Sequence, residues 1–210
     1  MTETPGQTPP IRTQDELRAE YGPINPLAEK KVLGVLDGFC RDFIALSPFL
    51  VLASSDGEGR SDASPRGDAA GFVAVLDERK LLIPDRLGNK RVDSFANILR
   101  YPAVGLIFMV PGINETLRVN GRASLTRDAD LLAPLAAQGK VPPVGLLVEV
   151  QETFFHCGKA LMRSKLWDPS LHVERSSFPT LGRIIAEQTA SVTVEAAERT
   201  MEEGYRTRLY

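Results

Sequence analysis

Gly88-Asn89-Lys90-Arg91 places two cations and two turn-forming residues just ahead of a segment with helical spacing. The start of a helix carries N–H groups without intrahelical partners and a partial positive charge, and both suit a phosphate. Lys90 and Arg91 add full charges, and an arginine fork can grip a phosphate through two parallel hydrogen bonds. Ser94, one turn on, offers a hydroxyl, and Gly88 is the residue expected to take the tight turn. The same spacing equally describes a solvated basic helix start.

Ser64-Pro65-Arg66-Gly67-Asp68 is a second candidate. Proline fixes one backbone dihedral and glycine frees another, so Arg66 stands on a rigid platform suited to an anion or an electron-rich ring edge. The plainer alternative is a bulge with Arg66 paired to Asp68. A third is Glu115-Thr116-Leu117-Arg118-Val119-Asn120-Gly121-Arg122. Strand alternation puts Thr116, Arg118, Asn120 and Arg122 on one face, lining a polar pocket or facing solvent.

The fourth is Phe154-Phe155-His156-Cys157-Gly158-Lys159, with Arg163, Lys165 and Trp167 close behind. The chain has two histidines and two cysteines, and neither pair has zinc-ligand spacing, so a structural strand end is favoured over a metal site or a cysteine nucleophile. Trp167 and its flanking cations suit a dimer contact or an aromatic lid. No dinucleotide-binding glycine fingerprint, P-loop, nucleophile elbow or zinc-protease motif occurs.

The remaining composition sets the class. With 210 residues and 43% apolar content, the chain can bury one good core. A formal charge of −2 argues against a general nucleic-acid binder. Two cysteines in a chain of 210 residues argue against a disulfide scaffold, and Cys40, in an apolar helical run, reads as a buried thiol. No apolar run reaches the ~18 residues a membrane helix needs, and a cytoplasmic location is expected.

The elements that must position these residues follow from periodicity. Residues 1–10 read as a loose tail, and Thr13 with Glu16 spells a capping box opening a short helix that Gly22-Pro23 ends. A longer helix is predicted over 27–46, with Leu36, Phe39, Cys40 and Phe43 as its apolar face. Strands are predicted at 49–54, 61–64, 72–76, 80–84, 104–110, 117–125 and 144–155, that at 104–110 covered on both faces. Helices are predicted at 89–100, with a stripe of Val92, Phe95 and Leu99, at 128–138, from 160, at 180–190 and at 194–204. Consecutive hairpins with few long crossovers predict an α+β protein: an antiparallel β-barrel of six or so strands with flanking helices. The organisation expected is a tail and short helix over 1–26, the barrel over 27–170 and a helical extension over 171–210.

The segment Ser64–Arg122 resembles the FMN-binding split barrel of the pyridoxamine 5′-phosphate oxidase-like superfamily. The resemblance is carried by Ile83-Pro84-Asp85-Arg86, Gly88-Asn89-Lys90-Arg91, Asn97-Ile98, Pro102, Val104-Gly105-Leu106-Ile107-Phe108 and Leu117-Arg118-Val119-Asn120-Gly121-Arg122-Ala123. Phe155-His156-Cys157-Gly158-Lys159-Ala160 and Leu166-Trp167 are similar to one uncharacterised bacterial branch. The resemblance implies a homodimer with FMN at the subunit interface. It implies Lys90, Arg91 and Ser94 at the FMN phosphate, and Arg66, Gly67, Pro84 and Asp85 along the isoalloxazine and ribityl chain. Thr116 and Arg118 would approach from the partner strand, with Lys159 and Trp167 closing the other subunit's side.

Ser64-Pro65-Arg66-Gly67-Asp68 stands where the B6 oxidase has its R-x-V-L-L-K strand, and no counterpart of that enzyme's C-terminal arginine-rich substrate motif is found. The resemblance therefore extends to the cofactor and not to the vitamin B6 reaction. It implies an FMN-dependent oxidoreductase passing electrons from a reduced nicotinamide to a small acceptor, with Arg66 or Arg118 stabilising the reduced flavin. Two alternatives stay open: a non-catalytic flavin- or haem-binding module, with His156 or His172 as axial ligand, and an F420-dependent reductase on the same fold.

Overall fold

A computed structural model describes residues 10–210, so the expected loose tail lies, apart from Pro10, outside the described residues. The chain divides into two compact units, one ending at Val32 and the other Leu33–Tyr210. In the first, α1 (Gln14–Tyr21) opens with the capping box: the Thr13 hydroxyl accepts from the Glu16 N–H at 3.1 Å, and the Glu16 carboxylate accepts from the Thr13 N–H at 3.1 Å. Asn25 caps a further short helix, α2 (Pro26–Lys30).

The second unit corrects the single helix expected over 27–46. Leu33 pairs with Thr153 in an isolated bridge, and the Leu36 N–H donates to the Glu78 carbonyl at 2.7 Å. Backbone groups committed to strands cannot also close helical turns, and Gly34 lowers helix propensity further. Only α3 (Gly38–Leu46) forms here, started by Asp37, whose carboxylate accepts from the Cys40 N–H at 2.8 Å. Leu36, Cys40 and Phe43 are buried as expected, but Phe39 is exposed and Ile44 takes the fourth core position.

The sheet has seven strands rather than six: β1 (Phe49–Ser55), β2 (Ser61–Gly67), β3 (Ala74–Asp77), β4 (Lys80–Pro84), β5 (Ala103–Met109), β6 (Thr116–Thr126) and β7 (Gly145–His156). They run in the order β2-β1-β5-β6-β7-β4-β3, all pairs antiparallel. All seven match strands read from periodicity; short β3, expected over 72–76, is held at one edge by β4 alone. The protein is α+β, a split β-barrel with flanking helices. Leu50, Leu52, Leu81, Ile83, Leu106, Phe108, Leu117, Val119, Val148 and Val150 turn inward and meet α3. Strand β5 is covered on the inner face only: Leu106 and Phe108 are fully buried, while Ile107 between them is 39% exposed.

Two helical expectations also change. The helix after the basic turn is α4 (Asp93–Arg100), four residues shorter at its start than the predicted 89–100. Its buried residues are Ser94, Asn97 and Ile98, not the expected stripe, and Leu99 is 74% exposed. A polar contact decides this: the Asn97 amide donates to Ser54 Oγ of β1 at 3.2 Å and to the Asp62 carboxylate of β2, turning that face to the sheet. The helix expected over 128–138 shrinks to α5 (Ala129–Leu132) and one 3-10 turn, because Pro134 has no N–H to continue it. Then come α6 (Lys159–Ser164), α7 (Leu181–Thr189) and α8 (Val194–Thr207). Among the described residues no helix is long and apolar enough to cross a membrane.

The β6–β7 ladder contains one irregularity with a sequence cause. Asn120 faces Glu152 and Gly121 faces Val150, so Gln151 bulges out of register. A Cβ at Gly121 would run into the Glu149 carbonyl, which only glycine avoids. Gly121→Ala should therefore destabilise the fold by about 2 kcal/mol or more, read as a lower urea midpoint at unchanged slope. Wild-type stability would disprove the tight approach.

Candidate functional site

Strands β2 and β4 are five places apart in the sheet order, yet both line one cavity of about 540 Å³. The sheet therefore curls until its two ends approach, and the split between them is the cavity. Asp62 to Gly67 of β2 form one wall; Pro84 at the end of β4, the loop 85–92 and the first residues of α4 form the other. A salt bridge crosses the split: Arg86 Nε donates to Asp68 Oδ2 at 2.6 Å, with the two side chains 18% and 5% exposed. Asp68 is held below the usual carboxylate range by hydrogen bonds from Tyr210, the Ala69 N–H and Arg86, which outweigh its burial.

The loop before α4 is strained at the two non-glycine positions Lys90 (φ 63°) and Val92 (φ 52°). Gly88, expected to supply the tight turn, does not have positive φ. A left-handed β-branched residue is costly, and such strain collects where a loop is held for function. Val92 is also the N-cap residue of α4 and supplies no side-chain cap, so the helix start is left without an acceptor of its own. Ser94, only 4% exposed as a residue, lines the cavity, and among the described residues no buried side-chain oxygen or nitrogen is left without a partner. Arg91 Nε is bound to Asp93 at 2.8 Å, whereas Lys90 has no ion-pair partner among the described residues.

On the opposite wall Arg66 does not pair with Asp68, the plainer alternative read from the sequence. Its Nη1 donates to the Pro65 carbonyl at 2.9 Å and to the Ser64 hydroxyl, and its guanidinium stands 6.0 Å from the Phe95 ring centre. Burial lowers the Arg66 pKa, opposed by the charge of Asp85; burial raises the Asp85 pKa, opposed by Arg66 and then by the Arg86 N–H and charge. An aspartate whose net shift is upward is ionised at neutral pH at a cost to the fold, a signature of sites selected for something other than stability.

Arg66, Gly67, Pro84, Asp85, Lys90, Arg91 and Ser94 are thus brought together, while Thr116, Arg118, Lys159 and Trp167 do not line the cavity. Register explains the separation. Arg66 lies opposite Leu50 and so shares its inner face; Arg118 lies opposite Ile107 and Phe154 on the outer face. There Arg118 Nε donates to Asn120 Oδ1 at 3.0 Å, Asn120 donates to Glu152 at 2.6 Å, and the guanidinium sits over Phe154. Thr116 starts β6 opposite His156, and Trp167 Nε1 donates to the Ile113 carbonyl at 2.9 Å. The residue missed is Arg86. It stands in the Ile83-Pro84-Asp85-Arg86 run, but nothing in the sequence announces that the chain after β2 comes back to hold it. Neither histidine lines the cavity, and the described residues contain no cluster of three metal-ligating side chains.

The profile of the pyridoxamine 5′-phosphate oxidase family matches residues 36–157, and the chain belongs to this family. No curated protein matches significantly. Among solved structures, a variant of HupZ from Group A Streptococcus is 14% identical with a TM-score of 0.48, covering 58% of this chain and 99% of its own. An F420 reductase is 20% identical with a TM-score of 0.40, covering 57% and 97%. The FAD binding protein of Mycobacterium smegmatis is 16% identical with a TM-score of 0.41, covering 59% and 97%.

The sign of the Asp85 effect is testable. A carboxyl whose folded pKa lies above its unfolded one makes the fold less stable as pH rises through that interval, which starts near the ordinary value of about 4. Asp85→Asn should raise the melting temperature at pH 7, and the gain should shrink as the pH is lowered toward that value. A gain that grows on acidification would show the shift to be downward.

Proposed function

We propose that the cavity binds FMN and that the protein is an FMN-dependent oxidoreductase, taking electrons from a reduced nicotinamide and passing them to a small acceptor. The observation that carries this is the donor set at one end of the cavity: the Ser94 side chain on its wall, the uncapped start of α4, and Lys90, which has no ion-pair partner among the described residues. These groups together suit a phosphate dianion better than any neutral ligand. Arg91 completes the charge, and Asp93 holds its Nε so that the terminal nitrogens stay available.

Bound there, FMN would supply hydride chemistry. The chain's own residues position it and set its electrostatics. Gly67 and Pro84 would border the planar ring with Arg66 and Asp85, all four lining the cavity. Arg66, pinned by Pro65 and Ser64, offers a fixed cation where negative charge develops on reduction. Asp85 tempers that charge.

The homodimer is part of the same reading. Across the outer face, Val51, Ile107, Arg118 and Phe154 lie side by side in register, and Ile107 is 39% exposed with no helix over it. A second copy covering this row would bring its own Thr116, Arg118, Lys159 and Trp167 toward the cavity rim.

Purified protein should carry visible flavin absorbance, and mass spectrometry of the released cofactor should give FMN; haem or F420 would replace this reading with one of its rivals. Lys90→Ala with Arg91→Ala removes charge-assisted bonds of about 1.5–3 kcal/mol each, so FMN affinity should fall at least ~10-fold in a fluorescence titration. Undiminished affinity would refute the phosphate assignment. Ile107→Lys should yield a monomer in sedimentation and weaken FMN binding; a dimer that persists would move the interface elsewhere.

A further inference from the structure

Tyr210 reaches the Asp68–Arg86 pair from the far end of the sequence. Its phenol donates to Asp68 Oδ1 at 2.6 Å, its ring lies 5.8 Å from the Arg86 guanidinium, and its main-chain oxygen accepts from Lys140 Nζ at 2.6 Å. The Asp68 carboxylate is therefore shared: Oδ1 takes Tyr210 and the Ala69 N–H (2.7 Å), and Oδ2 takes Arg86 Nε. Arg86 lines the cavity, and its terminal nitrogens have no hydrogen-bond partner among the described residues. A guanidinium gripped only at Nε keeps its remaining N–H donors free for an anion.

We propose that Tyr210 is a positioning residue for Arg86: through Asp68 it clamps the guanidinium at the cavity wall, so that Arg86 presents its free donors to the bound nucleotide. The proposal rests on the flavin reading for the identity of the ligand. The clasp itself does not. Without the phenol, Asp68 loses one of the donors that keep it charged, and Arg86 loses both a fixed counter-charge and the ring beside it. The titratable and charged groups facing Asp68 are Arg86 from the loop after β4 and Tyr210 from the chain after α8; Lys140 faces the main chain of Tyr210.

Tyr210→Phe removes the hydroxyl and keeps the ring. In the ligand-free protein, carbon-detected NMR titration of Asp68 should show its pKa rising in this variant; an unchanged value would overturn the clasp whether or not flavin binds. In FMN titrations from pH 4 to 8, the variant should bind about three- to tenfold more weakly at pH 7. Because Asp68 is depressed in the wild type, its contribution is lost as pH falls through the folded value, so the acid limb of affinity should move to higher pH in Tyr210→Phe. Tyr205→Phe, an exposed tyrosine outside the cluster, should match wild type in both assays. Wild-type affinity and an unmoved acid limb in Tyr210→Phe would overturn the positioning role. A wild type that binds no FMN at any pH would defeat the flavin reading alone, leaving the clasp to be judged by the Asp68 titration.

Discussion

The ion pair between Asp68 and Arg86 is the constraint on which the site depends. It joins the residue after β2 to the residues after β4, strands that are not neighbours in the sheet. Both side chains are largely removed from water, so removing Arg86 would leave Asp68 with only the neutral Tyr210 and Ala69 donors, and removing Asp68 would leave Arg86 without its ion-pair partner, a loss of up to about 3–5 kcal/mol. That penalty makes the separation of the two walls a fixed dimension. The split is held by this pair and by the Asn97–Asp62 hydrogen bond.

Everything polar around the cavity is arranged against that fixed edge. Asn97 ties α4 to β1 and β2, which puts the helix start at the cavity and leaves Leu99 in solvent. The strained Lys90 and Val92 lift the loop so that neither its glycine nor a side-chain cap occupies the helix start. Arg66 is buried against Phe95 and balanced by Asp85 rather than by Asp68, which is already committed. The opposing charges inside the cavity cost stability, and the ion pair at its rim offsets part of that cost.

Family membership and fold agree with the pattern of the sequence, and the site agrees only in part. Pro84, Asp85, Lys90, Arg91 and Ser94 come from one continuous run, so their proximity was legible once a strand, a turn and a helix were read in order. Arg66 and Gly67 needed the additional step of placing β2 beside them. Thr116 and Arg118 could be assigned to a strand face by alternation, yet alternation does not say which face is inner; pairing with Ile107 and Phe154 makes it the outer one. The misread stripe on α4 has the same origin, since Val92, Phe95 and Leu99 have helical spacing but Asn97 has partners on the sheet.

What the amino-acid sequence determined alone is local: capping at Thr13, strand alternation, the apolar inner rows, and the basic turn with its serine. These follow from side-chain chemistry within a few residues of chain. What only the tertiary structure decided are the contacts between distant segments. The return of Tyr210 and Asp68 to Arg86 and the separation of Arg66 from Arg118 both depend on how far the sheet curls. Curl is set by packing summed over the whole barrel and not by any single window of residues.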